Sequence, residues 1–469
     1  MTSTVLKPMA VNDASDAAQP AVYQLPIDVA TTRLARGWLW LGMLALIGAG
    51  IFSVLLVLAR TPGVNRLLPG VDFFRTALIV HVDLSVLVWF VAIAGMLWSL
   101  NSRARTAGLG WFALAAAYCG TAMMVLAPFL DPGTPVMANY IPVIESRLFL
   151  AGLVVFGIGG CGLVIRALGG FPDLRATLDG ATAIRFGLYA AAVAAAVALL
   201  AFIWSFALLP TALDSKVYWE ILFWGGGHAL QFTWTILLLV GWLWLAQACG
   251  AVVPLSARVT LLLLLIALLP VFVTPYAYFA HDIVTPEHRA LHTVGMRVGG
   301  GLAIFPVALA VSLSMLRLPR IAPAARPLRA ALIASMVLFA AGGIIGITID
   351  GNNVKIPAHY HGSIVGVTLA MMGLVYYLLP RLGYGTPAGR LAVNQPFVYG
   401  LGQLMHIVGL VWSGGYGVQR KVAGAEQVLR STGEVWGMGL MGLGGLVAII
   451  GGVLFVVVVW RGLRGNVPQ

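Results

Sequence analysis

The chain has 469 residues, of which 60% are hydrophobic and 9% are charged. Soluble domains carry about 25% charged residues, so this composition excludes an ordinary soluble protein, and the excess of apolar residues excludes disorder. The formal net charge is +12, but no long Lys/Arg cluster of a nucleic-acid binder is present, so we predict no nucleic-acid partner. The composition predicts an all-α, polytopic protein embedded in a lipid bilayer.

Twelve apolar stretches are long enough to cross a membrane as helices. They lie in one predicted membrane domain of residues 36–462, between an N-terminal tail (1–35), loosely ordered to about Ala30, and a C-terminal tail (463–469). The predicted spans are residues 37–59, 74–100, 108–129, 146–167, 183–207, 217–248, 257–281, 290–316, 328–349, 356–380, 396–416 and 433–461.

The distribution of basic residues predicts the orientation of the spans. Twelve spans place both termini on one side, and the loops on that side carry more Lys and Arg than the opposite loops. Basic loops stay in the cytoplasm. We therefore expect a multi-pass protein of a bacterial-type inner membrane with both termini cytoplasmic.

Five histidines lie in or at the end of four predicted spans: His81, His228, His281, His359 and His361. With the predicted orientation, they all fall towards the outer side of the membrane. Ionisable groups inside membrane spans are costly and usually functional. The alternative is that each histidine only bonds a neighbouring helix, but convergence on one depth favours a shared cofactor site.

The segment His359-Tyr360-His361 is the most informative of these positions. Residues two apart on a helix point about 200° away from each other, so the two rings cannot bind one metal together. They can each hold a different cofactor on opposite sides of the helix. Neutral imidazole is a common axial ligand of haem iron, so the pair predicts two haems separated by one helix.

Four segments carry a family resemblance: LIVHVDLSVLVW around His81, FWGGGHALQFTW around His228, YFAHD at His281, and IPAHYHGSIVGVTLAMMGLVYYLLPRLG around His359. In this order the chain resembles the catalytic subunit of the haem-copper oxidase superfamily, which includes oxygen reductases and nitric oxide reductases, the latter being closest. The resemblance implies a twelve-helix bundle that binds two haems and one non-haem metal.

The resemblance also implies ligand roles. His81 and His361 look like the axial ligands of a low-spin, haem b-like group, and His359 looks like the proximal ligand of a high-spin haem. His228 looks like the first ligand of the non-haem metal.

Two basic residues between spans 11 and 12, Arg420 and Lys421, look like partners of the haem propionates. Arg suits carboxylates physically. The alternative is ordinary solvated loop charge.

The first departure from the family is at span 7. Most members carry two adjacent histidines there, whereas this chain reads Ala280-His281-Asp282. We predict that His228, His281 and Asp282 hold the non-haem metal, and this harder donor set favours iron over copper. Asp282 can also be a water-exposed helix end. His288 and His292, four residues apart, can approach the site instead, but we expect an outer-surface pair.

The second departure concerns tyrosine. In several types of oxygen reductase a tyrosine, joined covalently to a metal-ligating histidine, lies four residues after the first ligand, where this chain has Phe232. Another type places it on span 7, near Tyr276 and Tyr278 but at neither position. Both can be interfacial packing residues. Reduction of two nitric oxide molecules needs two electrons and no tyrosine radical, so this departure favours nitric oxide.

The acidic residues avoid the inner halves of the predicted spans. Protons drawn from the outer side, through Glu220 or Asp350, suit a nitric oxide reductase better than a proton-pumping oxidase. We predict reduction of nitric oxide to nitrous oxide, with electrons from a separate subunit, cytochrome c or quinol. The alternatives are an oxygen reductase that makes water, a non-catalytic haem redox or gas-sensing protein, and a transporter without haem.

Overall fold

The computed structural model describes residues 21–59, 72–102, 104–175, 178–210, 212–318, 320–350, 353–416, 418 and 431–465. Within these residues, twelve helices are long and apolar enough to cross a membrane. This confirms the predicted all-α, twelve-helix bundle. Numbered 1 to 12 in chain order, the spans are Val29–Leu56, Phe73–Asn101, Ala107–Leu130, Arg147–Leu168, Gly180–Leu208, Ser215–Ala248, Ala257–Ala280, Pro286–Leu316, Pro323–Ile347, Lys355–Leu378, Gly389–Gly415 and Thr432–Arg464.

Four of these spans are not uniform α-helices. Span 2 contains a π-helical turn at Asp83–Val88, which begins two residues after His81. Span 7 contains a 3₁₀ turn at Leu269–Phe272, where Pro270 has no backbone N–H to continue the α-helix. Span 8 consists of two helices, Pro286–Gly299 and Ile304–Leu316. Span 9 begins with a 3₁₀ turn at Pro323–Ala325, before its α-helix Arg326–Ile347. π-Helical turns inside α-helices are frequent at functional sites, so the turn in span 2 marks the region after His81.

Short elements connect the spans. The connection between spans 3 and 4 is an antiparallel hairpin of β1 (Thr134–Val136) and β2 (Val143–Glu145), in which Thr134 pairs with Glu145 and Val136 with Val143. Two 3₁₀ turns, Ala104–Thr106 and Pro380–Leu382, lie outside the spans.

Spans 6 and 10 form the centre of the bundle. In each, 83% of the most apolar window is buried, against 33–61% in the other spans. Span 10 also approaches span 9 closely, because neither Gly342 nor Gly362 has a side chain at their contact. Small residues allow such close packing of membrane helices. The two central spans carry His228, His359 and His361.

The first helix begins at Val29 rather than near residue 37. Residues 21–28 are not loose, contrary to our expectation for the tail to about Ala30, and residues 1–20 lie outside the described residues. Tyr23 is fully buried, and its hydroxyl lies 2.6 Å from Thr260 Oγ1 and 2.9 Å from Leu255 O. Burial raises the pKa of Tyr23, so its hydroxyl stays protonated and ties this segment to span 7 and to the connection between spans 6 and 7.

Candidate functional site

All eight histidines lie towards one end of the bundle, which we call the site end: the end at which the even-numbered spans begin. The even-numbered spans carry six of them in their first halves, His281 follows the end of span 7, and His406 lies in the second half of span 11. The six on even-numbered spans are His81, His228, His288, His292, His359 and His361.

Several of these rings are hydrogen-bonded to a backbone carbonyl through the same ring atom, Nδ1. The Nδ1 atom of His81 lies 2.9 Å from Ala49 O, and that of His359 lies 2.7 Å from Gly342 O. A carbonyl oxygen only accepts, so Nδ1 donates and the neutral ring presents the lone pair of Nε2. Metal-binding histidines are commonly held in this way. The same contact is made by His228 with Trp224 O, His292 with His288 O, and His406 with Met441 O.

The two histidines of span 10 contact different neighbours, as their spacing predicts. His359 donates to span 9, where Gly346 leaves room for the ring: a β-carbon there would lie 2.6 Å from His359 Nδ1. The ring of His361 faces His406 on span 11, with 4.9 Å between ring centroids. Sequence reasoning missed His406, although its position in an odd-numbered span near the site end was a usable signal.

A tyrosine from outside the spans contacts His228. Tyr140 lies in the turn between β1 and β2, and its hydroxyl is 2.9 Å from His228 Nδ1 and 3.0 Å from Nε2. Its ring packs on span 6 where Gly227 has no side chain, since a β-carbon there would overlap the ring. Nothing in the sequence placed Tyr140 at the site, because only the hairpin brings it there.

Glu220, two turns before His228 on span 6, holds the hairpin turn. Its carboxylate accepts from the backbone N–H of Asn139 at 3.2 Å and also from the side-chain amide of Asn139. Burial, together with the nearby charge of Glu220, raises the pKa of Tyr140. Tyr140 therefore keeps its proton at neutral pH and acts as a hydrogen-bond donor beside His228.

His288 and His292 do not form a surface pair, so that expectation is wrong. Each is only 3% exposed. The ring centroid of His292 lies 4.8 Å from that of His288 and 5.6 Å from that of His228. Both lie on the first helix of span 8, and Tyr278 packs edge-on against His288 with 4.7 Å between ring centroids.

The residues at the end of span 7 lie nearer the surface. His281 is partly exposed and follows the last helical residue, and Asp282 is exposed. One carboxylate oxygen of Asp282 accepts from the N–H of Val284 at 3.0 Å. Metal binding by these two residues stays a prediction. The Tyr278 hydroxyl is bound within the bundle, 2.6 Å from Ser205 Oγ, and Tyr276 is 61% exposed.

The predicted propionate partners, Arg420 and Lys421, lie outside the described residues. Their role stays a prediction.

Acidic residues inside the described spans are also confined to the site end. There are four, each within the first eleven residues of an even-numbered span: Asp83, Glu220, Glu287 and Glu434. Asp83 is 2% exposed and one of its carboxyl oxygens has no hydrogen-bond partner. In the described spans, the half of the bundle away from the site end contains no carboxylate.

Fold and site together define a multi-pass membrane protein whose eight imidazoles lie towards one end of a twelve-helix bundle. Residues 33–461 match the family model of cytochrome c and quinol oxidase polypeptide I, and the chain belongs to this family, within the haem-copper oxidase superfamily. An uncharacterised protein of Rickettsia prowazekii (strain Madrid E) is 28% identical, covering 90% of this chain and 94% of its own length. An uncharacterised protein of Aquifex aeolicus (strain VF5) is 27% identical, covering 77% and 88% respectively.

Family membership implies haem cofactors and a metal centre. The residues fit both groups. His81 and His359 have Nδ1 bonded to a carbonyl of an adjacent span, which directs Nε2 away from that span. Near His228, buried ring nitrogens of His288 and His292 have no hydrogen-bond partner. Such nitrogens are costly unless they bind something, so the cluster suits a metal.

Proposed function

We propose that this protein reduces nitric oxide to nitrous oxide, 2 NO + 2 H⁺ + 2 e⁻ → N₂O + H₂O. Membership of the family supports an oxidoreductase in a membrane. His81 and His361 would hold a low-spin haem, His359 a high-spin haem, and His228 the non-haem metal. When bound, these groups supply the electron transfer and the gas-binding positions. A separate cytochrome c subunit or quinol delivers the electrons.

The distribution of carboxylates is the observation that carries this proposal. A pump needs proton-carrying groups in the half of the bundle away from the site, and the described spans contain no carboxylate there. We therefore infer that the consumed protons enter from the site end. This uptake suits nitric oxide reduction, which needs two protons for each nitrous oxide.

Glu220 is the best-placed entry group of the two we considered. It is linked through Asn139 to the turn that carries Tyr140, whose hydroxyl reaches His228. Asp350 instead lies 2.7 Å from Lys355 Nζ, which lowers the pKa of Asp350. A carboxyl with a lowered pKa stays ionised at neutral pH and is a poor proton donor.

A second candidate, reduction of oxygen to water, is favoured by one observation. Oxygen reductases use a tyrosine joined to a metal-ligating histidine, and this chain has none at the positions where that tyrosine is found. Tyr140 brings a hydroxyl to His228 from a different element. A tyrosine that can donate an electron and a proton therefore lies beside His228.

The test uses the purified protein with a chemical reductant. We expect one nitrous oxide for every two nitric oxide molecules consumed, measured by headspace gas chromatography with a nitric oxide electrode. Oxygen consumption without nitrous oxide formation would establish the second candidate instead. Two haems without turnover of either gas would indicate a redox or sensing protein, and a colourless preparation would indicate a transporter.

A further inference from the structure

We propose that the non-haem metal is held by His228 of span 6 with His288 and His292 of span 8, and not by His281 and Asp282. This inference rests on the proposed function, because it names the ligands of the same centre. It differs from the pair at adjacent positions on span 7 that the resemblance implies. The ligand pair comes instead from one turn of the following helix.

The first observation is burial without hydrogen bonding. His288 and His292 are each 3% exposed, and three of their ring nitrogens, Nδ1 and Nε2 of His288 and Nε2 of His292, have no partner. Leaving one buried polar group unsatisfied costs about 1–3 kcal/mol. A bound ion is a recognised explanation for such atoms, and one metal ion would bind one nitrogen of each ring.

The second observation is the spacing of the rings. Residues four apart lie on one face of a helix, and the His288 and His292 centroids are 4.8 Å apart, with His292 5.6 Å from His228. Metal–nitrogen bonds of about 2.0–2.1 Å place the centroids of two imidazoles on one ion at most about 6 Å apart. Both separations satisfy this limit.

The third observation is that span 6 leaves space for the helix of span 8 that carries His292. Gly225, one turn before His228, has no side chain, and a β-carbon there would lie 3.1 Å from His292 Nε2. The indole N–H of Trp224 donates to Arg289 O at 3.3 Å, which ties spans 6 and 8 together at this level. His292 therefore reaches the face of span 6 that carries His228.

The candidate ligands of span 7 lack these properties. The carboxylate of the exposed Asp282 caps its own turn through the N–H of Val284, and His281 is partly exposed beyond the end of the helix. In the described part of the chain, no group of three His, Cys, Asp or Glu side chains is already placed to hold a metal ion. To bind the metal, the His228 ring would give up its hydrogen bond to Tyr140 and coordinate the ion instead.

Metal analysis of four single variants tests the assignment. Non-haem iron and copper are measured by mass spectrometry relative to haem, since three imidazoles suit copper as well as iron. We expect His288→Ala and His292→Ala to lose at least nine-tenths of the non-haem metal. The matched controls His281→Ala and Asp282→Ala should keep it. The low-spin haem spectrum, unchanged in all four, serves as the readout of folding.

Retention of the metal by either span 8 variant, or its loss from either control, would overturn the assignment. If a span 8 alanine variant loses its haem spectrum and is misfolded, His292→Gln and His288→Gln, which preserve side-chain bulk, are judged by the same criterion. Haem without non-haem metal in the unmodified protein would overturn the proposed function along with this inference. The variant pattern by contrast overturns the ligand assignment alone.

Discussion

At the scale of residues, the site depends on which nitrogen of each imidazole is already occupied. The carbonyls of Ala49 and Gly342 bind Nδ1 of His81 and His359, so Nε2 is the atom that remains for iron. The positions of these histidines could be predicted from the sequence, because an ionisable residue in an apolar stretch is conspicuous. The carbonyl groups that bind these rings could not be predicted, because they belong to other spans.

Replacement of His361 separates the two haem assignments. We expect His361→Ala to abolish the low-spin haem signals in the electron paramagnetic resonance and optical spectra and to leave the high-spin haem in place, because His359 on the opposite side of span 10 is untouched. His359→Ala should have the reverse effect. Loss of neither signal in His361→Ala contradicts the assignment.

The hydroxyl of Tyr140 gives a second prediction at this scale. Tyr140→Phe removes one oxygen and keeps the ring that packs at Gly227. If the hydroxyl serves proton delivery beside His228, gas turnover should fall about 10- to 100-fold with haem content unchanged. Turnover equal to that of the unmodified protein would show that Tyr140 only packs against His228.

At the scale of elements, close contacts between helices decide what reaches the site. Periodicity and length predicted the twelve spans, but three spans contain interruptions that no hydropathy pattern reveals, at Asp83–Val88, Leu269–Phe272 and the junction after Gly299. The sequence also gave no sign that the β1–β2 hairpin turns Tyr140 towards span 6. Burial of His288 was missed for the same reason: it depends on the packing of span 8 against span 6.

The contact between the hairpin and span 6 is testable at Gly227. We expect Gly227→Ala to displace Tyr140 and to lower the free energy of unfolding by about 1–3 kcal/mol. It should reduce turnover at least as much as Tyr140→Phe does. Gly157→Ala in span 4 is the matched control, since an added β-carbon there meets no atom within 4 Å. Equal turnover in both variants would contradict the role of this contact.

At the scale of the whole molecule, the acidic residues within the described spans lie at one end of the bundle. The low charged fraction of the chain identified a membrane protein, and the structure adds that the carboxylates within the described spans share the site end with the histidines. This arrangement was accessible from the sequence once the spans were placed. The link from Glu220 to Tyr140 was not, because it runs through a loop residue, Asn139.

The predicted direction of proton uptake can be measured in liposomes. Turnover should acidify neither compartment and should take protons from the compartment that faces the site end, reported by a pH dye on each side. Glu220→Gln should slow turnover about 10-fold or more, whereas Asp350→Asn should not, because Asp350 has a lowered pKa and is paired with Lys355. Proton uptake from the opposite compartment would contradict the account.

The central claim is tested most directly by turnover of ¹⁵N-labelled nitric oxide on a preparation of known haem and metal content. The account predicts two haems and one non-haem metal per chain, and one labelled nitrous oxide for every two nitric oxide molecules consumed. A preparation with this cofactor content that reduces oxygen to water and releases no labelled nitrous oxide would contradict it.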